Sequence, residues 1–413
     1  MKDYTEYNLN FMTEYFEKGC KNSKDRKIGI EVENFLIEKD TKEPVSFYGD
    51  GGVEQLLKSL SENFESEHRE NGRLLGLSGK DYSLTVEPGG QLEISMIPKK
   101  SIEEIEKTYR EFLNLILPLL EKENCLLVNC GYHPSFKCGD IPLIPKNRYR
   151  VMDDYFNELG TCGMNMMRGS ASVQVNIDYC SPRDFKRKYK LANLLAPVIY
   201  LICDNSPVFE GEENHKNCVR AGVWRSLDKK RCALPVKKSF DDFGFREYAE
   251  FVYNSVPLFD REEKITSYTM TNREFYKDAP ITKADVEHMI SMVFPDVRLK
   301  TYLELRMADS MELEYALSYA SLVKSLFSDD DAIDRGLGVF DSENPDDINN
   351  AVDAVMKNGF DAQIYGKSVK TIIKELFGIA EEKASESEKK YLAVLENLAL
   401  QSKNLRMVKI GKH

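Results

Sequence analysis

Residues 86–95 read Val86-Glu87-Pro88-Gly89-Gly90-Gln91-Leu92-Glu93-Ile94-Ser95, a turn followed by a short alternating strand. From Gln91 onward the side chains alternate, so Gln91, Glu93 and Ser95 face one way and Leu92, Ile94 and Met96 the other. Pro88-Gly89-Gly90 is a turn signal that returns Glu87 to the same region. Carboxylates and amides gathered over an apolar strand face are costly unless water, a base or a cation compensates them.

The device recurs along the chain. In residues 27–33, Ile28, Ile30 and Val32 oppose Gly29, Glu31 and Glu33; in 172–178, Val173, Val175 and Ile177 oppose Gln174, Asn176 and Asp178. In 301–306, Leu303 and Leu305 oppose Glu304 and Arg306. If these stretches share one sheet, its polar face is a cluster of carboxylates with little neutralising lysine. Divalent cations would make such a face tolerable, and oxygen ligands select magnesium or manganese over zinc, which wants His or Cys. An arginine among the acids suits a metal-bound phosphate substrate, so the pattern implies phosphoryl transfer with two or more metals.

Composition narrows the class. The chain has 413 residues, 42% hydrophobic and 30% charged, enough for one large core or two domains. A net charge of -11 argues against general nucleic-acid binding. The start has no signal-peptide architecture, and the most apolar run, 191–203, is short and interrupted by Pro197, so no membrane span is expected. Nine cysteines without a CxxC pair suit a reducing compartment, giving the expectation of a cytoplasmic protein.

Helical spacing is expected over residues 4–18, 54–60 and 181–203, the last with Ser181 as N-cap and Pro182 behind it. Ser101-Ile102-Glu103-Glu104 is a capping box opening a helix to about residue 123. Residues 74–78, 82–87 and 91–96 read as an antiparallel meander, and 126–129 as a buried-type strand. The turn 48–54 is glycine-rich but lacks GK[ST] and GxGxxG, and reads as a plain turn. His133 reads as a loop histidine with a local hydrogen bond, not a base. The run 220–231, rich in cations around Trp224, reads on composition as a solvated loop, although it would also suit phosphates or a carboxylate. Arg168, entering an acidic strand, is a candidate for a substrate carboxylate. Ser328-Asp329-Asp330-Asp331 is an acidic break, after which 346–356, 368–377 and 387–400 read as helices that close one side of the sheet.

IGIEVENF, TVEPGGQLEIS, MMRGSASVQVNIDY, RAGVWRSLDKKR, DDFGFREY and FPDVRLKTYLELRMADS, spanning about residues 27–325, resemble in order and spacing the glutamate-cysteine ligases of the plant and proteobacterial type. The resemblance implies an α+β fold of the glutamine synthetase superfamily: a curved, mostly antiparallel β-sheet with an acidic concave face, backed by helices. With the motifs confined to the first part of the chain, a catalytic domain is expected over 1–328 and a helical C-terminal extension, 329–413, packed on it. The implied reaction joins the γ-carboxyl of glutamate to the amine of cysteine through γ-glutamyl phosphate at the expense of ATP. A related ligase with another amine acceptor, or a silent ATP- and metal-binding scaffold, are the alternatives.

Carried over from the family, Glu31, Glu33, Glu87, Glu93 and Glu304 are implied metal ligands, for Mg²⁺ with Mn²⁺ as alternative. Gln174, Asn176 and Arg306 are implied at the nucleotide, and Arg168, Arg220 and Trp224 at the glutamate. Arg306 and Glu93 are the implied catalytic pair. Gly169, Ala171 and Ser172 depart from the family pattern beside Arg168. The implied partners are glutamate, cysteine and ATP, without nucleic acid or membrane, in a monomer or homodimer.

Overall fold

The computed structural model describes residues 2–261, 269–340, 342 and 344–410. Its main sheet has nine strands: β1 Ile28–Glu38, β2 Ser66–Glu70, β3 Arg73–Ser78, β4 Tyr82–Val86, β5 Leu92–Met96, β6 Cys125–Val128, β7 Ser172–Ile177, β8 Val297–Leu299 and β9 Leu303–Asp309. The order is β8-β9-β7-β1-β5-β4-β3-β2, with β6 on the far half of β1, and the paired strands run antiparallel. The acidic stretches are therefore consecutive neighbours: β9, β7, β1 and β5.

Register does the rest. Glu31 lies opposite Gln174 on one side and Ser95 on the other, Glu33 opposite Glu93, and Asn176 opposite Glu304. Because side chains alternate, the same register stacks Val32 between Val173 and Ile94, all at most 1% exposed. One sheet thus separates a dry apolar face from a polar one. A bulge between Leu305 and Ala308 interrupts β9 against β7 and re-aims Arg306.

The helix Leu313–Leu326 packs on β1 and β7, and Pro182–Ile202 packs on β9. Leu313–Leu326 does not stand out in the sequence because it is buried nearly all round, with small residues at Ala316, Ser318, Ala320, Ser321 and Ser325 in place of a single apolar stripe. Those small residues admit its neighbour: Ser318 Oγ donates to Leu392 O at 2.9 Å and accepts from Leu395 N at 3.0 Å, inside the helix Lys389–Leu400. The capping box at Ser101 and the Ser181 cap form as the spacing predicts, on Ile102–Lys122 and Pro182–Ile202.

Other expectations shift. The acidic stretch 328–331 starts a helix, Asp330–Val339, because Asp329 accepts from Ala332 N and the acids complement the helix N-terminus. The cationic run 220–231 forms the helices Val219–Arg225 and Lys229–Cys232, with Arg220 and Arg231 3% and 2% exposed, rather than a solvated loop. Asn147–Glu158 is a helix and β2 a strand that periodicity alone did not reveal. Among the described residues no helix is long and apolar enough to cross a membrane.

Candidate active site

The polar face of the sheet floors a cleft of about 320 Å³ whose lining includes Glu31, Glu33, Glu87 and Glu93 together with Lys146, Arg148, Arg220, Arg298 and Arg306. Glu33 is gripped by β7: it accepts from Ser172 N at 2.7 Å, Ser172 Oγ at 3.0 Å and Gln174 Nε2 at 3.1 Å. Burial, reinforced by the charge of Glu87, still pushes its carboxyl up to about 7. Glu93 accepts from Thr85 Oγ1 and Ser95 Oγ, both at 2.9 Å. Burial and the charges of Glu87, Glu31 and Glu33 raise it well above the usual carboxylate range. Glu31, held by Asn176 Nδ2 at 2.7 Å, is raised by burial and by Glu304. Glu87 meets the hydroxyl of Tyr149 at 3.3 Å.

These acids repel one another because the protein supplies neutral donors and too little positive charge among them. Among the described residues no three His, Cys, Asp or Glu side chains form a ready-made metal cage. The donor set is nonetheless all oxygen, half-buried and short of counter-charge, which fits a hard divalent cation.

Glu304 differs from its four companions. It is fully buried, and although burial alone would raise it, Arg298 at 2.6 Å, Lys300 at 2.9 Å and Arg306 at 3.1 Å hold it well below the usual range. An added cation would have to displace at least one of these partners. Glu304, expected as a ligand beside the other four, thus differs from them in already holding three cationic partners. Arg298 and Lys300 escaped the sequence reading; the signal was the β8–β9 hairpin itself, which sets Arg298 opposite Glu304.

Arg306 also donates to Gln174 Oε1 at 2.9 Å, and its guanidinium lies 5.5 Å from the Trp224 ring. Arg220 lies 5.7 Å from the same ring and donates to the carbonyls of Arg306 and Met307 at 3.0 and 3.2 Å, tying down the β9 bulge. Arg220 Nε, Trp224 Nε1 and Arg148 Nε are buried donors without a protein partner on the cleft wall. Asn176 faces an adjoining cavity of about 360 Å³, shared through Glu31 and lined also by Lys21, Lys27, Tyr82, Met96 and Tyr302.

Arg168 is not on the cleft wall. Its side chain is committed to Asp153 at 2.6 Å and to Ile141 O at 3.1 Å. The Pro88-Gly89-Gly90 turn is also tighter than alternation suggests. Gln91 lines the cleft beside Glu93 but is 2% exposed, and its amide is committed: it accepts from Gly89 N at 2.8 Å and donates to the carbonyls of Met167, Arg168 and Ser170. A Cβ on Gly89 would lie 2.6 Å from Arg168 O, so glycine is required for that approach. Replacing Gln91 by leucine strands these groups, and we expect a loss of about 3 kcal/mol in urea unfolding, with no gain from the added apolar surface. His133 is the buried loop histidine expected, its Nδ1 accepting from Phe136 N at 3.1 Å, and burial lowers it to about 4.

A model of glutamate-cysteine ligase family 2 matches residues 27–400. Chloroplastic glutamate–cysteine ligase of Arabidopsis thaliana is 31% identical over 331 residues, covering 77% of this chain and 62% of that protein. The Brassica juncea enzyme of the same name is 32% identical over 307 residues, covering 71% and 59%. The chain thus spans about 60% of the length of these curated relatives. Among solved structures, glutamate–cysteine ligase from Francisella tularensis in complex with AMP superposes with a TM-score of 0.57 at 12% identity over 94% of this chain and 85% of that one, a likeness of fold. The relatives are chloroplastic, which overturns the cytoplasmic expectation. Nine free cysteines argue against a disulfide scaffold but do not select one reducing compartment.

Proposed function

Since this chain belongs to glutamate-cysteine ligase family 2, we propose that it joins the γ-carboxyl of L-glutamate to the amine of L-cysteine, giving γ-glutamylcysteine, ADP and phosphate, the first step of glutathione biosynthesis. The observation that carries the reading is one cleft lined both by half-buried, mutually repelling carboxylates and by guanidinium groups. The acids suit cations that accompany nucleotide phosphates, and the guanidinium wall suits a dicarboxylate.

Glu31, Glu33, Glu87 and Glu93 would hold Mg²⁺ or Mn²⁺, with Glu304 at the edge of the set. A bound divalent cation supplies charge neutralisation at the phosphate oxygens. Arg220, with its free Nε, and the indole N–H of Trp224 would orient glutamate. Arg306, braced by Gln174 and Glu304, would put a charge-assisted donor on the transferring phosphoryl group. The adjoining cavity, with Tyr82, Met96 and Tyr302 among its walls and Asn176 at its floor, would take the nucleotide. An oxygen of the glutamate γ-carboxylate attacks the γ-phosphorus of ATP and ADP leaves; the acceptor amine then attacks the acyl carbon and phosphate leaves. Residues 1–328 would carry this chemistry, and the helices of 329–413 would buttress it.

The test is phosphate release from ATP with Mg²⁺, with and without glutamate, across cysteine and a panel of other amines. We expect release that requires glutamate and favours cysteine, with the γ-linked dipeptide found by mass spectrometry. Preference for another amine would assign a sister activity, and no release with any acceptor would overturn the reading.

A further inference from the structure

Arg220 and Trp224 sit on Val219–Arg225, a helix of 7 residues and too short to be stable alone. Its direction is set where it begins, at Cys218, which adopts a left-handed conformation with φ 53°. Cys218 N donates to Asp204 Oδ2 at 3.0 Å. The same carboxylate oxygen accepts from Arg406 Nε at 2.8 Å, and Arg406 Nη2 donates to Asn217 Oδ1 at 2.7 Å. Arg406 N also donates to Asp204 O at 3.0 Å. Both ionic side chains are shut away from solvent, at 4% and 0% exposure.

The other side of this joint reaches the sheet. Asn205 N and Ser206 Oγ donate to Asp309 Oδ2, at 2.8 and 2.7 Å, at the end of β9. Arg220 returns to the carbonyls of Arg306 and Met307 in the β9 bulge. A closed circuit therefore runs from Arg406 through Asp204 and Cys218 to Arg220, and back through β9 to Asp309 and the 204–206 loop. A buried ion pair adds little net stability over apolar packing, but a guanidinium fork fixes two acceptors in one plane. The fork here spans Asp204 and Asn217, the two contacts that decide where the next helix starts.

We propose that Arg406, on the C-terminal helix Leu405–Lys409, is a positioning residue that sets Arg220 and Trp224 against the acidic cleft. Its consequence for glutamate rests on the proposed ligation; its consequence for Trp224 does not. Trp224 is the only tryptophan, so its emission reports the wall directly. Arg406→Lys keeps charge and stem but loses the fork, and Asp204→Asn keeps shape but loses the charge. In both variants we expect Trp224 emission to shift and acrylamide quenching to rise, and KM for glutamate to increase by about tenfold while KM for ATP holds. Arg406→Met should show the larger change; should it fail to fold, Arg406→Lys carries the test. A lowered melting temperature with emission, quenching and KM for glutamate all unchanged would overturn the proposal. Altered Trp224 emission in variants of a wild type that shows no glutamate-dependent turnover would support the positioning role and refute the ligation.

Discussion

Glu93→Gln is expected to abolish turnover while leaving a protein at least as stable as wild type when no divalent cation is present. The carboxylate is raised by burial and by three like charges, so at neutral pH its ionised form opposes folding. A neutral amide of the same shape removes that repulsion and can keep the acceptor role toward Thr85 and Ser95. The loss appears when cation and nucleotide bind. Several kcal/mol of charge stabilisation correspond to a fall in kcat/KM on the order of 10²–10⁴-fold. Thermal unfolding with and without Mg²⁺ and nucleotide separates the two effects: wild type should gain stability from the pair, and Glu93→Gln should gain little. A variant that is both active and stabilised by Mg²⁺ as wild type is would remove Glu93 from the site.

Glu304→Gln is expected to differ in kind. Its buried carboxylate satisfies three partly buried cations, and removing one partner of such an ion network costs about 3–5 kcal/mol because the others are left uncompensated. Turnover and stability should fall together, read as a lower urea midpoint alongside lost phosphate release. The pH dependence has a definite sign. A carboxyl held well below its ordinary 4.5 contributes stability that is fully present above that value and is lost as pH falls through the folded value. Wild type should therefore keep this contribution across neutral pH and lose it in strong acid, where Glu304→Gln and wild type converge. An unchanged midpoint in Glu304→Gln would contradict the three-cation arrangement.

The contrast between these glutamates shows what was legible in the sequence. Alternation alone placed Glu31, Glu33, Glu93 and Glu304 on one face, because a strand period of two leaves no other choice once the apolar residues are buried. It carried no information on which cation stands beside which acid, since that depends on register between strands far apart in the chain. Arg298 is an example: only the β8–β9 pairing brings it to Glu304. Gln91 lines the cleft with Glu93 as alternation places it, but it lies before the strand begins, and alternation could not show that its amide is spent on the turn and on the carbonyls of 167–170. Arg168 looked available because an arginine near acids invites that reading, and Asp153, on a helix not evident from periodicity, had already claimed it. The helix Leu313–Leu326 lacked a stripe because burial on all sides removes the need for one.

In the proposed reaction the acidic face of the sheet activates a carboxylate as an acyl phosphate. Glutamate labelled with ¹⁸O in its γ-carboxyl, turned over with ATP, Mg²⁺ and cysteine, tests it most directly. We expect one labelled oxygen in each phosphate released, carried from the carboxylate when the amine displaces it. Unlabelled phosphate accompanying dipeptide formation would contradict it.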